Sequence, residues 1–464
     1  MNPLSLGQIT KFAIGSLAAG NAETTITRVS TDSRTLQPGD LFVPLRGDNF
    51  DGHKFVSQAI ERGAAGAMVE ENWKGTTPAS FALIRVADTL VGYQTLAANY
   101  RASLPLKVIA ITGSNGKTST KDFVAATLAR KFRVTKTEGN FNNHVGLPQT
   151  MLAANLEDEI AVWEIGMNHP GEIAALAKLA APDVAIVTNV GIAHIEFMGS
   201  REAIAAEKGS LAEAVGPSGT VILNADDPFS EGIAKLTRAR IILAGIEKGS
   251  VRASDVRQSA TGSEFTILEG AHRCRAQLPV PGVHMVQNAM LAVAAGRAFG
   301  LSLEECAAGL ASTPLTKARL QITEINGIQF IDDSYNANPD SMKAALRTLI
   351  ELDADGRRVA VLGEMGELGE ESERGHREVG ETAAELNVDE LIAVGPSGAA
   401  IAHAAGKAGL ENSKAVDSPE KAAELLGENA MPGDLILVKG SRTARMERVL
   451  EAFAKRQAPE EVAP

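Results

Sequence analysis

The sequence predicts an α/β protein made of three domains, and three observations support this prediction. The chain has 464 residues, and an average domain has about 150. Hydrophobic residues make up 44% of the chain, which is enough to fill several cores. Short β-branched runs alternate with long helical patterns rich in Ala and Leu, and this alternation indicates parallel sheets covered on both faces.

Residues 1–86 form the first predicted domain, a small α/β unit. Short apolar pieces are separated there by turn signals such as Gln37-Pro38-Gly39-Asp40. A helical stretch over residues 55–62 precedes a strand candidate at 67–69. We expect a strand over residues 40–45 at the centre of this domain's sheet.

Residues 87–313 and 314–464 form the second and third predicted domains. In the central domain, helical patterns at 121–131 and 203–214 alternate with apolar strand candidates at 108–112, 160–165, 184–190, 221–224 and 241–244. The last domain shows the same alternation of strands and helices, with strand candidates at 328–332, 359–363, 390–394 and 435–439. It is therefore predicted to be a doubly wound, Rossmann-like unit, and residues 457–464 look like a loose tail.

The clearest local motif is a glycine-rich turn between a buried strand and a helix. It reads Thr112-Gly113-Ser114-Asn115-Gly116-Lys117-Thr118. Such a turn directs backbone N–H groups toward a phosphate, and the lysine and hydroxyl reach the terminal phosphates and a magnesium ion. The match to the usual motif is imperfect because Ile111 stands where its first glycine would be. The alternative is a structural turn, but strand, turn and helix all favour phosphate binding.

Three further polar residues follow predicted strands or lie on a predicted helix. Glu164 ends a strand candidate, where parallel-sheet sites form, so it could hold magnesium; elsewhere such a residue would be an edge charge. His194 follows the next strand and Lys208 lies in a helical pattern. Taken alone, these two would be a packing histidine and a surface lysine.

Charge and composition exclude several classes of protein. The net charge of −12 argues against nucleic-acid or anionic-membrane partners, which require clustered Lys and Arg. Two cysteines are too few for a disulfide framework or a four-cysteine zinc site. No signal peptide or long apolar run is visible. We expect a soluble cytoplasmic protein, with a monomer as the working expectation.

Together the motifs resemble those of the Mur ligases, ATP-dependent ligases of peptidoglycan precursor synthesis. The resemblance runs through all three parts of the chain. It rests on the short phosphate loop at 112–118, on Glu138-Gly139-Asn140-Phe141-Asn142-Asn143, on Glu164-Ile165-Gly166-Met167, on the segment 188–194 and on Glu207-Lys208-Gly209. It implies a small uridine-nucleotide domain, a central ATPase-like domain with a phosphate loop, and a Rossmann-like domain.

The resemblance also implies roles for individual residues around ATP and two magnesium ions. Thr118, Glu164 and His194 correspond to magnesium ligands, and Lys208 to the lysine that is carbamylated in several relatives. Together with Lys117, the last three are the implied catalytic residues. The implied ATP-binding residues are Gly113, Ser114, Asn115, Gly116, Lys117, Thr118, Ser119, Asn288, Arg319, Asp333, Tyr335, Asn336 and Asn338.

Two segments resemble one branch of the family, which adds D-alanyl-D-alanine to a UDP-N-acetylmuramoyl-tripeptide. They are 331–342, which contains Asp333-Ser334-Tyr335-Asn336, and 362–369, which reads Leu-Gly-Glu-Met-Gly-Glu-Leu-Gly. In the first domain, 31–34 and 47–53 resemble uridine-nucleotide motifs, although both would otherwise pass for turn-rich loops. The implied substrate-binding residues are Ser33, Arg34, Asn49, Asp51, Gly52, His53, Asn140, Asn142, Asn143, Lys439, Ser441 and Arg442.

The expected chemistry is activation of a peptide carboxylate by ATP, followed by attack of an amine on the acyl phosphate. For Lys439 to Arg442, a helix cap is the alternative to a substrate contact. Three other functions compete with the ligase: a folylpolyglutamate synthetase-like enzyme, a non-catalytic nucleotide-binding module, and a phosphate-loop hydrolase or kinase. The uridine-type first domain and the presence of Lys117, Glu164 and His194 favour the ligase.

Overall fold

Three sheets divide the chain, and the computed structural model describes residues 1–47, 49–314 and 316–457. The sheets span residues 16–86, 107–278 and 321–439. The proposed domain limits at 86/87 and 313/314 remain predictions. Asp48 of the predicted uridine motif and residues 458–464 of the predicted tail lie outside the described ranges.

The first sheet has five strands in the order β2-β9-β8-β5-β4. The N-terminal helices are α1 (Leu6–Phe12) and α2 (Val56–Glu61). The strands of this part are β1 (Leu4–Ser5), β2 (Ser16–Ala19), β3 (Thr25–Ile26), β4 (Val29–Ser30), β5 (Leu41–Phe42), β6 (Arg46–Gly47), β7 (Phe50–Asp51), β8 (Gly66–Glu70) and β9 (Ala82–Val86). Strands β1 and β3, and strands β6 and β7, form two separate antiparallel pairs. The prediction that residues 40–45 form the central strand is wrong. Only β5 pairs there, and β8, buried throughout, holds the middle position.

The central sheet has nine strands. The strands that follow β10 in sequence are added first on one side of it and then on the other, so β10 lies where the strand order reverses. Its order is β11-β12-β10-β13-β14-β15-β16-β17-β18. The strands are β10 (Lys107–Thr112), β11 (Val134–Lys136), β12 (Ile160–Glu164), β13 (Val184–Val187), β14 (Thr220–Asn224), β15 (Arg240–Gly245), β16 (Val251–Ser259), β17 (Gly262–Glu269) and β18 (His272–Leu278). Strands β11 to β16 pair in parallel. Ligands of parallel sheets bind at such a reversal, outside the carboxyl ends of the strands.

Helices cover both faces of the central sheet. They are α3 (Thr89–Ala102), α4 (Lys117–Leu128), α5 (Gly146–Ala153), α6 (Glu172–Ala180), α7 (Ile195–Met198), α8 (Arg201–Glu213), α9 (Ser230–Ala234), α10 (Val283–Ala298) and α11 (Leu303–Ala311). Helix α4 begins at Lys117, four residues before the predicted start at Lys121, because Gly116 forms its N-cap. Strand β13 ends at Val187, three residues before the predicted end, and the chain then turns toward the phosphate loop.

Strands β16, β17 and β18 form an antiparallel extension of the central sheet. The apolar patterns of the sequence did not predict this extension. Its strands alternate exposed and buried residues, for example exposed Arg252 beside buried Val251 and Ala253. One face of the extension therefore meets solvent, as is common for antiparallel strands.

The third sheet has the order β19-β20-β24-β21-β22-β23, and all pairs except β19–β20 are parallel. Its strands are β19 (Gln321–Ile325), β20 (Ile328–Asp333), β21 (Arg358–Gly363), β22 (Glu390–Val394), β23 (Ser413–Val416) and β24 (Leu435–Lys439). Its helices are α12 (Pro339–Glu351), α13 (Ser372–Glu385), α14 (Ala399–Lys407), α15 (Pro419–Asn429) and α16 (Glu447–Gln457). The carboxyl ends of β20 and β24 are adjacent, so Asp333 lies beside Lys439.

Across the described ranges, the helices lack the length and apolar character that crossing a bilayer requires.

Candidate active site

A cleft of about 1230 Å³ lies between the central and C-terminal sheets. Its lining comes from the loops that follow β10, β12 and β13 on one side, and from the loops that follow β20, β21 and β24 on the other. Helix α3 and the loop at 140–144 line a further part of the wall. The cleft therefore lies where the topology of both sheets predicts a ligand site.

The phosphate loop connects buried β10 to α4 and is held from outside by the segment after β13. Thr188 Oγ1 donates to the backbone oxygen of Asn115 (2.5 Å), and the backbone N–H of Asn115 donates to Asn189 Oδ1 (2.9 Å). Gly116 has φ of 77°, a left-handed conformation that favours glycine. A Cβ atom at this position would lie 2.5 Å from Asn288 Oδ1. Both the turn and the close approach of Asn288 therefore require glycine here.

Glu164 ends β12 and lies beside the phosphate loop. It is buried, with 3% of its surface exposed. Thr118 Oγ1 donates to one of its carboxylate oxygens (2.8 Å), and Asn142 Nδ2 donates to the other (2.7 Å). The structure thus brings together a hydroxyl and a carboxylate, which are the hard oxygen ligands that Mg²⁺ prefers.

Two lysines lie close to this group, Lys117 in the cleft lining and Lys208 buried behind it. Lys117 Nζ donates to the backbone oxygen of Gly113 (2.9 Å). Burial lowers the pKa of Lys117, against the opposing effect of Glu164. Burial, with a contribution from Lys117, holds the pKa of Lys208 well below its usual value. Lys208 has no hydrogen-bond or ion-pair partner among the described residues and does not line the cleft. The assumption that it would otherwise be a surface lysine is wrong, since only 1% of it is exposed.

His194 caps the N-terminus of α7 in a left-handed conformation, with φ of 62°. Its Nδ1 atom lies 2.5 Å from Glu367 Oε2, on the loop that follows β21. The hydrogen bond from His194 lowers the pKa of Glu367. This pair joins the central and C-terminal parts of the cleft.

The C-terminal wall carries a largely buried ion pair and a stacked cation. Lys439 Nζ lies 2.5 Å from Asp333 Oδ2 and donates to the backbone oxygen of Asn336 (3.0 Å). The guanidinium of Arg319 lies 4.4 Å from the ring centre of Tyr335, and its NH2 group donates to Thr118 Oγ1 (3.2 Å). Charged groups from the C-terminal side therefore reach the phosphate loop directly.

Direct contacts also join the two walls. Asn338 Nδ2 donates to Asn115 Oδ1 (2.7 Å), and the side chain of Asn338 also caps α12. Ser441 makes no side-chain cap for the short helical turn that follows it, and its hydroxyl instead contacts Thr443 Oγ1 (3.0 Å). Asn143 accepts from the backbone N–H of Gly146 (2.8 Å) at the start of α5, so it has a structural role as well as a place in the cleft.

Most residues singled out in the sequence line this one cleft. They are Ser114, Asn115, Gly116, Lys117, Thr118, Ser119, Asn140, Asn142, Asn143, Glu164, His194, Asn288, Arg319, Asp333, Tyr335, Asn336, Asn338, Lys439, Ser441 and Arg442. Those that do not line it are Gly113, Lys208, Ser33, Arg34, Asn49, Asp51, Gly52 and His53.

The first-domain residues lie on the N-terminal unit instead. The side chain of Arg34 is 83% exposed and pairs with Asp32 at 2.8 Å. His53 Nε2 accepts from the backbone N–H of Glu70 (3.3 Å), so Nδ1 is the donor to Asp51 Oδ1 (2.7 Å). Both ring nitrogens of His53 are thus engaged within its own domain. Ser33 and Gly52 are buried, whereas Asn49 is exposed.

Sequence reasoning missed several residues of the cleft lining, including Asn189, His284, Asp340 and Glu367. Asp340 accepts from the backbone N–H of Ile192 (3.2 Å) across the two domains. Burial lowers the pKa of His284 to about 4. Asn189 and Glu367 lay inside segments that carried the family resemblance, so those segments were the available signal. The partner of Asn189 is Asn115 and that of Glu367 is His194. Both partners are too distant in sequence to be found from a local pattern.

Comparison with known proteins shows which family has this architecture. The family models that match are the Mur ligase middle domain at residues 111–296, the Mur ligase glutamate ligase domain at 318–442 and the Mur ligase family catalytic domain at 25–88. The UDP-N-acetylmuramoyl-tripeptide–D-alanyl-D-alanine ligase of Bacillus subtilis is 40% identical over 449 residues, which covers 96% of each chain. The chain belongs to the Mur ligase family.

Solved structures of Mur ligases agree over nearly the whole chain. A crystal structure of MurF from Acinetobacter baumannii is 34% identical with a TM-score of 0.90, over 98% of this chain and 99% of that one. MurF from Thermotoga maritima, in complex with ADP, is 30% identical with a TM-score of 0.83, over 93% and 97% of the two chains. This Mur ligase thus has the three-part α/β architecture predicted from its sequence, and it belongs to a family of ATP-dependent, ADP-forming ligases.

The described part of this Mur ligase contains no group of three or more His, Cys, Asp or Glu side chains arranged around a metal position. The oxygen donors that it does bring together are Thr118, at the start of α4 after the phosphate loop, and Glu164, at the end of β12.

Proposed function

We propose that this chain joins D-alanyl-D-alanine to UDP-N-acetylmuramoyl-tripeptide and converts ATP to ADP and phosphate. The product is the UDP-N-acetylmuramoyl-pentapeptide used in peptidoglycan synthesis. The observation that carries the proposal is full-length similarity to ligases of that name. The cleft supports it, because its phosphate loop faces a second wall of charged and amide side chains.

The reaction proceeds in two steps that need no protein nucleophile. A carboxylate oxygen of the tripeptide attacks the γ-phosphorus of ATP, which forms an acyl phosphate and releases ADP. The amine of D-alanyl-D-alanine then attacks the acyl carbon, and the tetrahedral intermediate loses phosphate and a proton. Positioning and charge stabilisation account for the rate in reactions of this type.

The charged groups of the cleft suit the first step, in which two anions must meet. Lys117 binds the terminal phosphates, and Gly113, Ser114, Asn115, Gly116 and Ser119 surround them with backbone N–H groups and hydroxyls. Arg319 lies beside Thr118 and neutralises charge on the same phosphates. Asn288, packed against Gly116, lies on the adenine side. Asp333, Tyr335, Asn336 and Asn338 complete the nucleotide site from the C-terminal wall.

We assign magnesium binding to Thr118, Glu164, His194 and a carbamylated Lys208. The donor set fits, because Glu164 and Thr118 supply oxygen ligands and Lys208 is buried near Lys117, with only 1% of it exposed. A lowered pKa favours the neutral amine, which is the form that reacts with CO₂ to give a carbamate. Two bound magnesium ions would neutralise the phosphates and hold them in line for transfer.

The substrates occupy the remaining surface. Asn140, Asn142 and Asn143 border the cleft where the tripeptide carboxylate must meet ATP, while Ser33, Arg34, Asn49, Asp51, Gly52 and His53 bind the uridine diphosphate end. Lys439, Ser441 and Arg442 contact D-alanyl-D-alanine or the acyl phosphate. We expect a monomer in the cytoplasm, where ATP and nucleotide-linked precursors are made, with no nucleic-acid or membrane partner.

The test follows ADP release from Mg-ATP by the full chain, with each substrate omitted in turn. Release should require both UDP-N-acetylmuramoyl-tripeptide and D-alanyl-D-alanine, and mass spectrometry should detect the pentapeptide. Lys117→Ala should abolish release, whereas the surface variant Lys235→Ala, at an exposed i,i+4 ion pair, should not change it. A folded protein that binds nucleotide but releases no ADP with both substrates would refute the proposal. A folate-type substrate would then be tried.

A further inference from the structure

The loop that follows β21 docks on the short helix α7 of the central domain. The backbone N–H of Glu196 donates to the backbone oxygen of Glu367 (3.4 Å). Gly369 packs so closely that a Cβ atom there would lie 3.1 Å from Glu196 Cγ. The loop therefore approaches the segment that carries His194, and Glu367 lies in the cleft lining beside it.

The contact between Glu367 and His194 fixes one orientation of the imidazole ring. An ionised carboxylate can only accept a hydrogen bond, so the proton lies on His194 Nδ1, which is 2.5 Å from Glu367 Oε2. The other ring nitrogen, Nε2, then carries the lone pair. The side chain of His194 is only 19% exposed and lies against Glu367 of the docked loop.

We infer that Glu367 is the positioning residue for His194, supplied to the central domain by the C-terminal domain. This inference rests on the proposed function, in which His194 is a metal ligand. Histidines that bind metals commonly donate their second ring N–H to a carboxylate, and loss of that partner weakens metal binding about 10- to 100-fold. Glu367 plays this part across a domain boundary, so the ring is oriented only while the two domains are docked.

A coupling follows from this arrangement. An ion bound through His194 favours the docked arrangement of the C-terminal domain, and docking raises the affinity for the ion by the same factor. Glu367 thereby connects assembly of the metal site to the approach of Lys439, Ser441 and Arg442.

The test titrates Mn²⁺ into the full chain in the presence of ADP and measures unbound Mn²⁺ by electron paramagnetic resonance. The variants are Glu367→Ala, Glu367→Gln, His194→Ala and the double variant with both alanines. Glu370→Ala is the matched control, since Glu370 is exposed and has no ion pair among the described residues. Urea unfolding of each variant checks that it is folded.

Glu367→Ala should weaken the affinity for Mn²⁺ about 10- to 100-fold, and Glu367→Gln, which keeps an acceptor oxygen, should weaken it less. The double variant should bind no more weakly than His194→Ala alone, because Glu367 acts only through that ring. Wild-type affinity in Glu367→Ala, or losses that multiply in the double variant, would overturn the inference while leaving the role of His194 intact. Wild-type affinity in His194→Ala would overturn that role and the inference together.

Discussion

Gly116 is the residue of the phosphate loop where a single methyl group should do most damage. Its φ of 77° is left-handed, and an alanine in that conformation is disfavoured by about 1–2 kcal/mol. The added Cβ would also lie 2.5 Å from Asn288 Oδ1 and 2.6 Å from Asn288 Nδ2. Asn288 is 5% exposed and its side chain lines the cleft, so its amide would have to shift from its present position, and overpacking of this kind adds about 1–3 kcal/mol.

The chain offers a control that has the same backbone conformation as Gly116 without a close neighbour. The difference between the two alanine variants then measures the cost of packing against Asn288. Gly300 has φ of 78°, and a Cβ atom there would meet nothing within 4 Å. Gly300→Ala should therefore lower the free energy of unfolding by about 1–2 kcal/mol. Gly116→Ala should lower it by about 2–5 kcal/mol, the two effects together. It should also weaken ATP binding at least about tenfold, because the loop N–H groups are displaced from the phosphates.

Urea unfolding measures the two stability changes, and calorimetric titration with Mg-ADP measures the affinities. Gly300→Ala should bind the nucleotide as the wild type does. If Gly116→Ala equalled Gly300→Ala in both measurements, the close packing of the loop against Asn288 would be refuted as the reason for glycine.

Three further outcomes are expected. Lys439→Met should lower the free energy of unfolding by about 3 kcal/mol in urea, because it leaves the carboxylate of Asp333 unpaired in a largely buried position; a change below about 1 kcal/mol would contradict this. Because burial lowers the pKa of His284 to about 4 from 6.5, the folded state takes up fewer protons than the unfolded state between these values. The contribution of His284 to the free energy of unfolding should thus be fully present above about pH 6.5 and fall by up to about 3 kcal/mol toward pH 4. His284→Gln should flatten that decline; if the wild type and the variant lost stability in parallel as the pH fell, His284 would not be its cause. Activity should decline when CO₂ is removed and return with bicarbonate, whereas Lys208→Arg should be inactive in either condition; indifference to bicarbonate would argue against the carbamate.

The parts of the fold that the sequence predicted are those with strong local patterns. Strands β10, β12, β13 and β14 are buried apolar runs next to long helices, and only their ends were misplaced. The antiparallel extension escaped because half of its side chains face solvent, which weakens the apolar signal. In the first domain, the apolar run at 41–45 continues beyond β5 as buried coil, so hydrophobicity alone placed the strand wrongly.

The same distinction holds for the candidate site. The phosphate loop is contiguous, so glycine, lysine and threonine spacing suffices to find it. Glu367, in contrast, meets His194 across 173 positions of sequence, and no local pattern encodes that contact. The partnerless burial of Lys208 was equally invisible, because burial of one helix face depends on what packs against it.

The lowered pKa values of Lys117 and Lys208 have a consequence for the protons that accompany binding. A triphosphate favours the ammonium form of Lys117, so nucleotide binding draws a proton from solvent wherever the lowered pKa leaves part of this lysine neutral. Addition of CO₂ to Lys208 has the opposite sign, because formation of a carbamate releases protons. The heats of nucleotide binding and of carbamylation should therefore both depend on the ionisation enthalpy of the buffer, with opposite signs.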